Sequence, residues 1–133
     1  MASIVKETVI EAAPEACWSA LRDFGQLDKM ARGFITESKL VEPREREITF
    51  FTGTVVREYL VGIDEERRRL AYTVTSGPLG STHYNASAQI FPEGDSRCRF
   101  TWIVDILPDS LSEIAGGLMD RGLSAIKTTL EDR

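Results

Sequence analysis

Asp109 to Glu131 reads DSLSEIAGGLMDRGLSAIKTTLE. Its apolar residues Leu111, Ile114, Ala115, Leu118, Met119, Leu123, Ile126 and Leu130 recur at the helical period and do not alternate. The spacing predicts one long amphipathic helix at the end of the chain, with Asp109 or Ser110 as its cap. Gly116, Gly117 and Gly122 interrupt the pattern, and each interior glycine costs roughly 1 kcal/mol against alanine. Two explanations stand side by side: close approach of the helix to another layer, or space left for a ligand.

Upstream of this helix the periodicity changes to two. Strands are expected over Phe34 to Val41, Glu47 to Phe51, Thr54 to Ile63, Arg69 to Thr75, Ser81 to Phe91 and Cys98 to Leu107, with turns at Glu42 to Arg46, Thr52 and Gly53, Asp64 to Arg67, Ser76 to Gly80 and Pro92 to Ser96. Short connections of this kind imply an antiparallel meander. Ser3 to Ile10 alternates as a first strand. Pro14 then suits the first turn of a helix, Gly25 ends it, and Gln26 to Ala31 fits a second short helix.

The 133 residues are read as one domain, 1–133, with no composition break, repeat or linker. A formal charge of -5 argues against a nucleic-acid surface, which needs clustered Lys and Arg. The basic run Arg67 to Arg69 follows Asp64, Glu65 and Glu66, and so reads as a solvated hairpin turn. No apolar run reaches the length of about eighteen residues that spans a membrane, and no leader pattern stands at the start; a cytoplasmic protein without stable membrane insertion is expected. Cys17 and Cys98 lack metal-ligand spacing and read as buried free thiols.

The order of elements, together with EAAPEACWSALRDFGQLD at Glu11 to Asp28, VREYLVGIDEERRRLAY at Val56 to Tyr72, SGPLGSTHYNA at Ser76 to Ala86 and CRFTWIVDILP at Cys98 to Pro108, resembles the START-like, Bet v 1-like (SRPBCC) superfamily. Within it, the chain is most similar to the small bacterial polyketide cyclase/dehydrase and lipid-transport-like proteins, and more distantly to the plant abscisic acid receptors. The resemblance implies an α+β helix-grip fold: a seven-stranded, curved antiparallel sheet around the C-terminal helix, with two short helices after the first strand. It also implies an internal cavity for a small hydrophobic ligand, with no cofactor. The two loops with which the receptors close the cavity correspond to Thr52 to Thr54 and Gly77 to Gly80. The first is much shorter here, and Thr36 stands where the receptors place a ligand-anchoring lysine, so a hormone-sensing role is not expected.

Strand alternation selects the cavity wall. Thr82, Tyr84, Ala86, Ala88 and Ile90 share one face of the expected strand Ser81 to Phe91, and Cys98, Phe100, Trp102, Val104 and Ile106 share one face of the last. Tyr72 and Val74 join them. Phe34, Thr36, Phe50, Val56, Ile114, Leu118 and Gly122 are expected to complete the ligand-binding set.

The strand Thr54 to Ile63 is ambiguous. Val55, Tyr59, Val61 and Ile63 form its more apolar face, whereas the resemblance turns Glu58 inward with Val56 and Leu60. An inward Glu58 is a candidate polar anchor or acid/base, neutral or hydrogen-bonded to a tyrosine; an outward Glu58 would merely pair with a neighbouring arginine. His83, the single histidine, falls on the opposite face of its strand, so no Ser-His-Asp or Cys-His arrangement is assembled. Clustered metal ligands are also missing from the pattern.

Two functions therefore follow: a protein that binds or carries a lipid, polyketide or isoprenoid, or an aromatase/cyclase or dehydratase in which Glu58 moves a proton with Tyr72 or Tyr84.

Overall fold

The computed structural model describes residues 2–132. Seven strands form one antiparallel sheet: β1 (Ala2–Ile10), β2 (Ile35–Glu42), β3 (Glu45–Phe50), β4 (Val55–Asp64), β5 (Arg69–Ser76), β6 (His83–Pro92) and β7 (Cys98–Leu107). Their spatial order is β1-β7-β6-β5-β4-β3-β2, so the last six strands are a meander and β1 pairs with the far end of it. Between β1 and β2 the chain crosses from one sheet edge to the other. It does so through α1 (Pro14–Arg22), a 3-10 turn at Phe24–Gln26 and the four-residue α2 (Leu27–Met30).

The long helix α3 spans Ser112–Glu131, one turn later than expected, because Asp109–Leu111 forms a 3-10 turn. Leu111 occupies the N-cap position in place of the expected Asp109 or Ser110, and its apolar side chain makes no capping bond. Ala115, Met119, Gly122 and Ile126 make its buried stripe. The sheet wraps this stripe, and Phe100, Ile48, Leu70, Ile90, Ile106 and Met119 become the fully buried centre. Burying apolar area on this scale supplies most of the folding free energy, at roughly 25 cal/mol per Å².

The β2–β3 and β4–β5 ladders are each interrupted twice, and one irregularity in each leaves an extra residue beside the cavity-facing positions. Ile35 pairs with Phe50 and Glu37 with Thr49, which leaves Thr36 as an extra residue in β2. Leu60 pairs with Tyr72 and Gly62 with Ala71, which leaves Val61 extra in β4. At Thr36 the bulge shifts the alternation by one position, whereas on β4 Tyr59, Val61 and Ile63 all stay exposed across the bulge.

On β4 the apolar face lost the competition. Glu58 and Leu60 are buried, whereas Val55, Tyr59 and Val61 are exposed on the convex side, where no layer covers the sheet. Arg44 partly shields them: its guanidinium lies 5.8 Å from the Tyr59 ring centroid and donates to the Leu60 and Val61 carbonyls at 2.8 Å and 3.1 Å.

The acidic and basic run at the β4–β5 turn is more than a solvated surface. Glu65 accepts from Trp18 Nε1 at 2.9 Å and from Arg22 at 2.6 Å, and Arg68 pairs with Glu15 at 3.1 Å. The turn thereby clamps α1. Arg22 and Trp18 hold the Glu65 carboxyl below its ordinary range, with Arg22 contributing more.

Candidate functional site: a two-chamber cavity under the C-terminal helix

β3, β4, β5, β6 and β7 turn one face each toward α3, and the space between them stays partly empty. An inner chamber of about 80 Å³ is walled by Phe34, Ile48, Leu70, Phe100, Trp102, Met119 and Gly122, among other apolar residues. A wider outer chamber of about 430 Å³ lies toward the β3–β4 turn and the β5–β6 loop, where Thr52, Thr54, Val56, Val74, Ser76, Pro78 and Leu79 line it. Phe50, Glu58, Tyr84 and Leu118 belong to both walls and form the neck.

The neck holds the polar chemistry. Arg46 and Glu58 are opposite one another on β3 and β4, and both are buried. Arg46 Nη2 approaches Glu58 Oε1 to 2.7 Å, and Nε donates to the same oxygen at 2.9 Å. The third nitrogen, Nη1, donates to the Phe24 carbonyl at 3.1 Å. Arg46 also lies over the rings of Phe24, 4.0 Å from its centroid, and Tyr72, 5.2 Å from its centroid. A buried ion pair survives desolvation only with such added bonds and packing.

Tyr72 accepts a hydrogen bond from Trp102 Nε1 at 3.2 Å, which fixes both rings in the inner wall. Burial, and secondarily the nearby Glu58 charge, pushes the Tyr72 phenol well above its ordinary value. Tyr84 is raised for the same two reasons, burial again first. Phe34 stacks edge-on against Phe50, with 5.3 Å between centroids.

The structure brings most of the sequence-expected wall together. Phe34, Phe50, Glu58, Tyr72, Tyr84, Phe100, Trp102, Leu118 and Gly122 border the inner chamber, while Val56 and Val74 border the outer one. Three expected residues do not join the wall. Thr36 is the bulge residue of β2; it is exposed, and its hydroxyl donates to the Thr49 carbonyl at 3.2 Å. Ile114 is 56% exposed, because it lies one residue, about 100°, off the buried stripe in the first turn of α3. Ala86 is buried between Tyr72 and Val104 on its neighbouring strands and does not reach the cavity; Ala88 does.

Glu58 bonds to Arg46 and to no tyrosine, which corrects that expectation. Arg46 itself escaped the sequence reading because Glu42 to Arg46 was assigned to a turn, whereas β3 begins at Glu45. Its alternation with Ile48 and Phe50 is the signal that would have found it.

The helix glycines divide. A Cβ on Gly122 would stand 3.0 Å from Phe34 Cε2 and 3.1 Å from Trp102 Cζ3, tighter than ordinary contact, so the close approach of α3 to these rings favours glycine here. At Gly117 nothing lies within 4 Å, and at Gly116 the contacts are ordinary. His83 pairs with Leu107 on the outer face of β6. Among the described residues no group of His, Cys, Asp and Glu could hold a metal, and no helix is long and apolar enough to cross a membrane.

Solved structures with this architecture are numerous. The chain aligns over 99% of its length with 97% of XoxI from Bacillus cereus, at 23% identity and a TM-score of 0.87. A START superfamily protein from Mycobacterium smegmatis matches at 15% identity, 97% of each chain and a TM-score of 0.81. The Zhui aromatase/cyclase from Streptomyces sp. R1128 matches at 13% identity, with 98% of this chain, 91% of that one and a TM-score of 0.79. At such identities the likeness is one of fold. No curated protein matches the sequence. The sequence model of one family, described as polyketide cyclase / dehydrase and lipid transport, matches residues 1–131. With its helix-grip sheet and the cavity beneath α3, the chain belongs to the polyketide cyclase / dehydrase and lipid transport family.

Proposed function

We propose that this protein binds a small, largely apolar molecule in the cavity under α3 and acts as a carrier or sequestering protein. One observation carries the reading: two continuous chambers walled by aromatic and aliphatic side chains, with a single internally neutralised charge pair at their neck. Ligand sites have this character, an apolar lining with few fixed polar groups. A lipid, polyketide or isoprenoid body suits the lining. Cys17 and Cys98 are buried and form no disulfide, which suits a reducing, cytoplasmic setting.

An aromatase/cyclase or dehydratase, such as the Streptomyces neighbour is named for, is the alternative. It needs Glu58 to exchange a proton with substrate. Glu58 is instead committed to Arg46, which holds its Oε1 through two nitrogens, and giving up that buried pairing for a substrate is costly in an interior. The carrier reading carries no such cost.

Titration with the uncharged fluorophore N-phenyl-1-naphthylamine tests it. Saturable 1:1 binding is expected, and Leu118→Trp, which fills the neck from α3, should abolish it. Absence of saturable binding, or binding indifferent to Leu118→Trp, would overturn the proposal.

A further inference from the structure

We propose that the neck selects an uncharged hydroxyl, a phenol or an alcohol, set a short apolar segment in from one end of the ligand, and that it excludes carboxylates. This deepens the cavity-binding reading and rests on it.

The hydrogen-bonding capacity of the neck is unevenly used. Each nitrogen of Arg46 has a protein partner, Nε and Nη2 on Glu58 Oε1 and Nη1 on the Phe24 carbonyl, which uses three of its five N–H bonds and neutralises its charge. The guanidinium is also covered by the Phe24 ring, 4.0 Å away. Glu58 is different. Both contacts from Arg46 fall on Oε1, and Oε2 accepts from none of the described residues. The Tyr84 hydroxyl is likewise bonded to none of them, and its side chain sits in the same neck. No sealed side-chain oxygen or nitrogen among the described residues lacks a partner, so these two oxygens open onto the cavity.

The neck thus offers one anionic acceptor and one hydroxyl, while the cation that would welcome an anion is already occupied. A ligand carboxylate would bring a second negative charge against Glu58, while the Arg46 charge that could balance it is already offset within the buried pair. An ammonium would be attracted to Glu58, but Arg46 has already offset that charge, and the ammonium would lose its hydration in an apolar space. A hydroxyl meets neither obstacle. It donates to Glu58 Oε2, accepts from Tyr84 and carries no charge to desolvate.

Position follows from volume. The inner chamber, about 80 Å³ and lined by Ile48, Leu70, Phe100 and Trp102, has room beyond the neck for a short alkyl group or a ring edge. The outer chamber, about 430 Å³, takes the larger remainder. The donor therefore sits inside the molecule's length, and a terminal headgroup does not fit the geometry.

Three matched compounds, each with a methyl group beyond the functional group, test this by displacement of N-phenyl-1-naphthylamine at pH 8: 5-hexyl-2-methylphenol, 5-hexyl-2-methylbenzoate and 5-hexyl-2-methylbenzylamine. The phenol is expected to bind at least tenfold more tightly than either ion. Tyr84→Phe, which leaves the Arg46–Glu58 pair intact, should weaken the phenol severalfold and leave the benzoate unchanged. Glu58→Gln should narrow the phenol-to-benzoate ratio to below threefold. Equal or tighter binding of the benzoate or the benzylamine overturns the proposal. If the fluorophore binds and the phenol does not displace it, the ligand class falls while the cavity reading stands. If the fluorophore itself does not bind, the cavity reading falls and this inference with it.

Discussion

Arg46 and Glu58 are direct cross-strand partners on β3 and β4, and their 2.7 Å salt bridge lies inside the cavity wall. Removing one member leaves the other as an uncompensated buried charge. Arg46→Met is expected to lose about 3–5 kcal/mol of unfolding free energy. The double variant Arg46→Met, Glu58→Leu should recover most of that loss, since an apolar pair of similar volume needs no desolvation. Urea denaturation of the two single variants and the double variant measures the coupling; additive losses would show that the pair is not a unit.

Gly122 and Gly117 should respond to alanine with opposite signs. At Gly117 a Cβ meets nothing within 4 Å, so Gly117→Ala should gain up to about 1 kcal/mol from helix propensity. At Gly122 the new methyl presses on Phe34, which is held by Phe50, and on Trp102, which is tethered to Tyr72. Overpacking of roughly 1–3 kcal/mol should exceed the propensity gain and leave a net loss of about 1 kcal/mol. Thermal unfolding midpoints check both, and a stabilised Gly122→Ala would contradict the close-approach argument.

Alkaline pH should weaken the fold through its buried tyrosines. Burial raises the phenols of Tyr72 and Tyr84 above the ordinary 10.0, so above that pH the unfolded chain releases protons that the folded chain retains. Stability is then full below pH 10 and declines above it, by up to about 1.4 kcal/mol per pH unit for each group. Urea midpoints between pH 8 and pH 11 should show the decline, and Tyr84→Phe should reduce its slope.

Cys17 and Cys98 are both fully buried, and burial raises the Cys98 thiol. The reactive species is the thiolate, so native protein should resist alkylation. Mass spectrometry after iodoacetamide treatment is expected to show no labelling in buffer and two labels in urea; labelling of either thiol in buffer would indicate local opening of α1 from β7.

Much of this molecule is legible in the order of its residues. Period-two alternation places all seven strands to within two positions, with the largest offsets at the starts of β3 (Glu45) and β6 (His83). The 3.6 period of Leu111 to Leu130 marks the closing helix. Local patterns carry these features because each depends on neighbours a few residues apart. Trp102, Tyr72 and Tyr84 also fall where strand alternation puts them.

What alternation could not reach required the third dimension. The apolar residues Val55, Tyr59 and Val61 look like the inner face of β4, yet the sheet curves around α3 and leaves that side bare. The bulge at Thr36 removes one expected wall residue, because a single unpaired position reverses the facing that a period of two assumes. Arg46 meets Glu58 only after β3 and β4 fold back on each other, since the two are twelve residues apart in the chain. Sequence sets the periods, and so the elements. Curvature, bulges and strand pairing decide which charges those elements bury together, because burial is a property of the layers that cover a face and not of the strand that carries it.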